Sequence, residues 1–341
     1  MQTSVTRALG IEHPIVQAPI GGLSVPELAG AVSEAGGLGM MAVTWLEPEQ
    51  IRAAVRAVRA MTSRPFGVNI VIGEGDEPQD ERVSAALEEG VKIVSFFWGD
   101  PAPYLRAVRD AGAKAMLTVG SAAEARRAVD AGVDVIVAQG WEAGGHVWGQ
   151  VSTLALVPAV VDAVGSTPVI AAGGITDGRG LAAVLALGAG AAWMGTRFVA
   201  SAEAPTHPHW VSRVLGASET DTFYSSLFDV GWPDAPHRTL RNPTIDAWLA
   251  AGSPPPGERP GEGEVLATRA DGSEVVRYSS VSARAGVEGR IDELSLWCGQ
   301  GVGLVHEVLP AAEIVRRTVS EAEATLTGFA ETASPGASVA R

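Results

Sequence analysis

The chain has 341 residues, enough for one large α/β domain or two smaller ones, and its 46% hydrophobic and 19% charged content is that of an ordinary soluble enzyme. Lysines and arginines number 25 against 39 acidic residues, and the resulting formal charge of −14 argues against nucleic acid or an anionic membrane surface as partner. A single cysteine, Cys298, excludes an intrachain disulfide, a CxxC redox pair and a cysteine zinc cluster.

The segment Met1–Arg7 lacks an apolar signal core and no 18-residue apolar run follows, so a cytoplasmic location is the expectation. From Ile15 to about Ala200 short β-type runs alternate with Ala-rich helical stretches. The runs predict strands at Ile15–Ala18, Leu38–Val43, Phe66–Val71, Lys92–Phe97, Lys114–Val119, Asp134–Gln139, Thr167–Ala171 and Ala191–Gly195. Between them, 3.6-residue periodicity predicts helices near 26–35, 48–60, 79–89, 102–110, 121–130, 154–163 and 177–187. Glycines such as Gly132 and Gly188 follow the helices where a left-handed stop is expected. Eight strand signals separated by helices favour a (β/α)8 TIM barrel, an α/β fold, although periodicity alone cannot distinguish a closed barrel from an open doubly wound sheet.

After Thr196 the composition shifts toward Pro, Trp, Asp and Gly, and Ser253–Gly263 reads as a surface loop. Residues 201–290 are therefore expected to be an excursion or lid over one barrel face, with 1–200 and 291–330 forming the barrel and returning through helices near 291–306 and 310–327. The small, polar stretch 331–341 is expected to be a flexible tail.

Several features converge on the carboxyl ends of the predicted strands, where barrels carry their chemistry. Pro19 lacks an N–H, so the turn after the first strand presents carbonyls and the Ala18 backbone to the mouth. Asn69 and Gln139 end the third and sixth strands, where an amide can bridge a heteroaromatic ring or merely cap the strand. Gly173, Gly174, Gly195 and Thr196 follow the last two strands and supply bare amides and a hydroxyl that can hold a phosphate without net positive charge. The simpler alternative is that these glycines only permit tight turns. His146 lies in the glycine-rich segment Gln139–Gly149, and an imidazole there is placed for proton transfer beside a flat cofactor. Trp141 and Trp148 flank it and either wall an apolar substrate pocket or pack under the 201–290 excursion. His207 and His209 read as loop or helix-start residues rather than a metal pair; GxGxxG at the first βα turn, a P-loop, HExxH and GxSxG are all absent.

The segments Gln139-Gly-Trp-Glu-Ala-Gly-Gly-His146, Pro168–Arg179, Met194-Gly-Thr196, Pro14–Gly22, Gly67-Val-Asn69, Gly299–Val305 and Pro310–Val315 together resemble the FMN-dependent nitronate monooxygenase family, formerly 2-nitropropane dioxygenases. The resemblance spans most of the chain and implies a TIM barrel with non-covalent FMN. It places Asn69, Gln139, Gly144, Gly174, Trp193, Met194, Gly195 and Thr196 at the flavin, with Gly174, Gly195 and Thr196 on its phosphate; Ala18, Pro19 and Gly173 complete the expected cofactor set. It makes His146 the catalytic base in the O2-dependent oxidation of a nitronate or nitroalkane to a carbonyl compound plus nitrite. The partners it implies are the small-molecule substrate and O2, with a homodimer left open. Many members continue the motif as His-Arg-Gly, whereas this chain has His146-Val-Trp-Gly149 and a short stretch to Leu156, which points to a larger or more apolar substrate. FMN-type enoyl-acyl carrier protein reductases and NAD(P)H:quinone reductases share much of this pattern and form the alternative.

Overall fold

A computed structural model describes residues 1–73 and 78–333, with side chains to Phe329. Eight parallel strands build the barrel: β1 (Ile15–Gln17), β2 (Gly39–Ala42), β3 (Phe66–Val71), β4 (Ile93–Phe97), β5 (Lys114–Val119), β6 (Val135–Gln139), β7 (Val169–Ala172) and β8 (Ala191–Met194). Neighbours in sequence are neighbours in the sheet, and β8 returns to pair with β1 through Ile15–Ala192 and Gln17–Met194. The ring closes where Gln17 N donates to Leu38 O and Leu38 N to Ile15 O. Closure is the feature periodicity could not supply.

The predicted strand ends differ from the observed ones by at most two residues, and seven helices lie between the strands as expected, from Pro26–Glu34 to Gly178–Ala186. Burial explains why the strands were legible. Each strand faces helices on one side and the barrel interior on the other, so both faces are apolar. Gly132 and Gly188 take φ of +101° and +95°, the left-handed stops the sequence implied.

Two parts, the first helix and the stretch near 291–306, were not foreseen, whereas the final helix lies where one near 310–327 was expected. A six-residue helix, Ser4–Leu9, plugs the amino end of the barrel with Val5 and Leu9, and Thr3 Oγ1 donates to Gly190 O at 2.6 Å. The stretch near 291–306, expected to be a helix, forms two 3-10 turns, Ile291–Glu293 and Gln300–Leu304. Their side chains Ile291, Leu294, Val302 and Val305 join a second apolar cluster built on Trp210, Phe228, Tyr278 and Trp297, not the barrel's own core. The final helix, Ala311–Ala333, supplies the barrel's missing outer helix: it packs on Gly178–Ala186 and Pro26–Glu34, and Glu321 accepts from Gly178 N at 3.0 Å. This helix includes residues 331–333 of the expected tail; the remainder of that tail lies outside the described residues.

Between Thr196 and Ala311 the chain builds a lobe from two small antiparallel sheets and the helices Pro208–Leu215 and Pro243–Ala250. The proline-rich tract is largely exposed, as expected, but it is pinned by the buried Arg259, which pairs with Asp229 at 2.8 Å and with Glu262, and stacks 4.3 Å over Tyr278. No helix among the described residues is long and apolar enough to cross a membrane.

Candidate functional site

Strand registers show which residues look into the barrel mouth. Val16, Met40, Ile93, Met116, Val137, Ile170 and Ala191 fill the interior, so the positions two residues further on from some of these point inward at the carboxyl rim. Ala18, Asn69, Ser95, Thr118, Gln139, Ala172 and Trp193 therefore share that rim. The sequence-derived residues Ala18, Asn69, Gln139 and Trp193 are thus brought together. Met194 is not: its side chain lies in the core between strands and helices, and only its main chain reaches the rim, where Met194 O accepts from Ala18 N.

Their hydrogen bonding divides them further. Asn69 is only 5% exposed, yet its carboxamide has no hydrogen-bond partner among the described residues, and the Oγ of its register neighbour Ser95 is buried and equally unpaired. Buried polar groups are normally satisfied, so the sealed Ser95 Oγ beside the Asn69 carboxamide makes a spot that suits a polar ligand group. Gln139 differs. Its Nε2 donates to His146 O at 3.1 Å and its Oε1 accepts from Trp148 N at 2.9 Å, so the side chain fastens the histidine segment down over the rim. The Ala18 carbonyl, expected to be presented to the mouth, instead accepts from the Gln17 amide.

The turns after β7 and β8 lie side by side because Ala172 and Trp193 are in register. The backbone N–H groups of Gly173, Gly174, Gly195 and Thr196 donate to no acceptor among the described residues. Gly173 and Gly174 have φ of +105° and +72°, and a Cβ on Gly173 would stand 2.8 Å from Gly140 O, so this turn tolerates only glycine there. The following helix does not add its own N-terminus, since Asp177 caps it by accepting from Arg179 N and Gly180 N. Nor does a cation: Arg197 turns away and both terminal nitrogens donate to Glu307 O at 3.0 Å. The cradle is made of neutral amides, a donor set that suits one phosphate group. Thr196 Oγ1 is engaged already, accepting from Gly299 N at 3.0 Å.

The histidine segment is more ordered than a glycine-rich turn suggests. Gly145–His146 forms the third strand of a lobe sheet, pairing antiparallel with His237–Leu240, so that His146 faces His237 and Gly145 faces Arg238. Gly144 is required by packing: a Cβ there would collide with Gly299 N and Cys298. Glu142 caps the helix Thr153–Val164 by accepting from Thr153 N at 2.9 Å. Both residues of the motif thus hold the segment in place.

The imidazole of His146 lies among rings. Trp232 stacks on it at 3.9 Å and 29°, Trp297 lies 5.3 Å away, His237 5.7 Å and Trp98 5.9 Å. The residue retains some exposure, but Nε2 is sealed and has no hydrogen-bond partner. Burial, with a smaller contribution from His237, pushes the pKa of His146 down to about 3. His237 is pushed down to about 4 by burial, yet it is satisfied: Nε2 accepts from Phe228 N at 3.2 Å, which leaves Nδ1 to donate to Ala235 O at 2.8 Å. His146 is therefore the unpaired neutral imidazole of the two.

Trp148 contacts Trp98 at 4.9 Å, while Trp141 lies on the other face of the strand under Arg238 and Tyr224. The two tryptophans flanking His146 thus have different surroundings. Arg238, 2% exposed, donates to Trp141 O at 2.9 Å, and its buried Nε is unpaired. Sequence reasoning missed Trp98, Trp232, Trp297, His237 and Arg238. Only Trp98 left a usable signal, an aromatic before glycine at the carboxyl end of a barrel strand. Cys298 lies behind Thr196, its thiol pushed up to about 12 by burial, and His207 caps the helix Pro208–Leu215. Two surface hollows of about 270 and 210 Å3 lie elsewhere, one at the amino end of β1 and one under the helix at Ala102–Asp110, and neither gathers unpaired polar groups.

A family model described as nitronate monooxygenase matches residues 2–86 and 71–321. A nitronate monooxygenase of Pseudomonas aeruginosa is 35% identical over 367 residues, covering 94% of this chain and 99% of that protein. The (3aS,4S,5R,7aS)-5-hydroxy-7a-methyl-1-oxo-octahydro-1H-indene-4-carboxyl-CoA dehydrogenase of Mycobacterium tuberculosis is 38% identical over 255 residues, 74% of this chain and 70% of that one. Among solved structures, FabK from Thermotoga maritima superposes with a TM-score of 0.81 at 36% identity, covering 97% of this chain and 99% of that chain.

Proposed function

The chain belongs to the nitronate monooxygenase family of flavoenzymes, and from that premise we propose that it holds FMN at the barrel rim and oxidises alkyl nitronates or nitroalkanes with O2 to a carbonyl compound plus nitrite. The observation that carries this reading is the sealed, unpaired and neutral Nε2 of His146 above a rim that also bears a cradle of free amides.

Gly173, Gly174, Gly195 and Thr196 would hold the flavin phosphate through main-chain N–H groups, and Asn69 with Ser95 would meet polar edges of the ring system. The bound flavin supplies the electron acceptor and the route to O2. His146 is the base for a neutral nitroalkane: its neutral ring accepts the α-proton at Nε2. The burial that keeps the ring neutral also weakens it as a base, and the nitronate anion formed beside it restores part of that affinity. A substrate that arrives as the nitronate needs no such transfer. Gln139 and Arg238 hold the His146 segment through its main chain and that of Trp141, which fixes where the imidazole stands.

A second reading, reversible redox chemistry on a thioester-activated carbon skeleton with NAD(P)H, is favoured by one feature: three indoles, Trp98, Trp232 and Trp297, stand within 6 Å of the His146 ring and suit an apolar substrate body. The mycobacterial relative is named as a dehydrogenase of a carboxyl-CoA compound, which is consistent with a thioester substrate. Anaerobic mixing of the holoprotein with NADH or NADPH separates the two. The nitronate reading expects the flavin to stay oxidised, and expects nitrite and O2 consumption with propyl nitronate in air. Rapid bleaching by a nicotinamide, with no nitrite from any nitronate, would replace it with the thioester reading.

A further inference from the structure

The ring system around His146 continues far past the histidine. Trp45, Trp232, Trp98 and Trp148 form an unbroken run, with centroid separations of 6.1, 5.3 and 4.9 Å and interplanar angles of 64°, 71° and 73°. His146 meets the middle of this run through Trp232 and Trp98. The four indoles come from four separate places: the loop after β2, the end of β4, the segment after β6, and the lobe tip at 229–235. No helical stripe or strand face gathers them; they meet only over the carboxyl rim.

Their condition is not that of core residues. Trp45 is 60% and Trp148 38% exposed, so the run is open at both ends. Trp98 has φ +64°, a left-handed backbone that a bulky side chain adopts only where its surroundings force it, and such strain gathers at functional sites. Trp232 rides on an exposed tip between Gly231 at φ +96° and Asp234 at φ +54°. Among the described residues no arginine or lysine stacks on any of the four, and the buried Arg238 lies on the far face of the strand against Trp141 and Tyr224. Because Nε2 of His146 is sealed, a reactant reaches it only when a neighbour yields, and Trp232 is the neighbour carried on an exposed tip.

We propose that this run of indoles is the substrate-recognition surface of the His146 site, and that the substrate carries an extended apolar body, a long alkyl chain or a fused ring system, behind its reacting carbon. The inference rests on His146 being the reacting group. A two- or three-carbon nitroalkane touches one indole at most and leaves the rest of the run without a partner. A longer apolar body covers it, and each added methylene that it buries raises affinity about fourfold.

The test is calorimetric titration of the holoprotein with unreactive straight-chain alcohols from propan-1-ol to octan-1-ol, beside nitrite release from nitronates of matching length. The dissociation constant is expected to fall about three- to fourfold per methylene, and Trp98→Ala and Trp232→Ala to weaken octan-1-ol binding by about tenfold or more while sparing propan-1-ol. Should Trp98→Ala fail to fold, Trp45→Ala at the exposed end remains, and it is expected to weaken only the longest alcohols. Affinities independent of chain length, or unchanged in the folded variants, overturn the proposal. A clear chain-length slope with no nitrite from any nitronate retires the proposed reaction and sustains the apolar substrate class. Flat binding with efficient nitrite release from the shortest nitronates does the reverse.

Discussion

His146 and His237 stand directly opposite each other in an antiparallel ladder, their rings 5.7 Å apart on one face of the lobe sheet. Both are held neutral by burial, but only His237 has its nitrogens satisfied within the chain. The pairing gives the two histidines separate duties, one as a fixed strut and one as a free imidazole above the barrel rim.

The free imidazole is tested by His146→Asn. Flavin content is expected to stay near that of the parent, and turnover of a neutral nitroalkane to fall about 100-fold or more, the usual worth of a positioned base. Turnover of the preformed nitronate is expected to fall much less. Steady-state rates on the two forms of one substrate check this, and equal losses would remove the base role.

Acid stability follows from the same two rings. Both folded-state pKa values lie below the ordinary 6.5, at about 3 and about 4, so the unfolded chain binds more protons through the interval between. Stability from keeping these groups neutral is complete above about pH 6.5 and is lost as pH falls toward 4, with a slope of about 1.4 kcal/mol per pH unit for each histidine. Denaturant titrations at pH 7, 6, 5 and 4 measure it. His237→Gln is expected to reduce the slope by about half.

Gly144→Ala addresses a close approach between the His146 segment and the Cys298–Gly299 main chain. The new Cβ meets the Cys298–Gly299 main chain, so the two segments must separate, at a cost of about 1–3 kcal/mol. Because Gly299 N also donates to Thr196 Oγ1, the turn proposed to hold the flavin phosphate is expected to loosen with it. Flavin dissociation constants and melting temperature are both expected to worsen. A stable variant with unchanged flavin retention would show that this contact is unimportant to the site.

Gln139→Leu removes the two hydrogen bonds that tie His146 O and Trp148 N to the rim. Leaving these groups unpaired costs about 1–3 kcal/mol. The expected signature is a raised KM and lowered kcat together with faster amide exchange at Trp148, and not flavin loss alone. Loss of flavin with normal kinetics in the reloaded protein would assign Gln139 to the cofactor instead.

How legible all this was in the sequence depended on periodicity. Each barrel strand is covered on both faces and each helix on one, so the apolar pattern marks them within two residues, as at Phe66–Val71 and Lys114–Val119. The glycine turns and His146 stood out because they end such strands. The helix Ser4–Leu9 is too short to show a period, and the 291–306 stretch is held by lobe contacts rather than by its own pattern. The surroundings of His146 were illegible for a different reason. Trp98, Trp232, Trp297 and His237 come from distant segments, and no local rule says that they share one place. Even the neighbours Trp141 and Trp148 part company, because the intervening strand sends them to opposite sides.

Placing the lobe ahead of the final helix has a consequence for how the molecule is made. Ile15 pairs with Ala192, and the helix that seals the outside of that seam begins only at Ala311. Until Ala311 and the residues after it are made, the apolar outer face beside that seam lacks its covering helix. Shortening the chain before Ala311 is expected to yield aggregates rather than a smaller working protein, and assistance by chaperones would matter most in that interval.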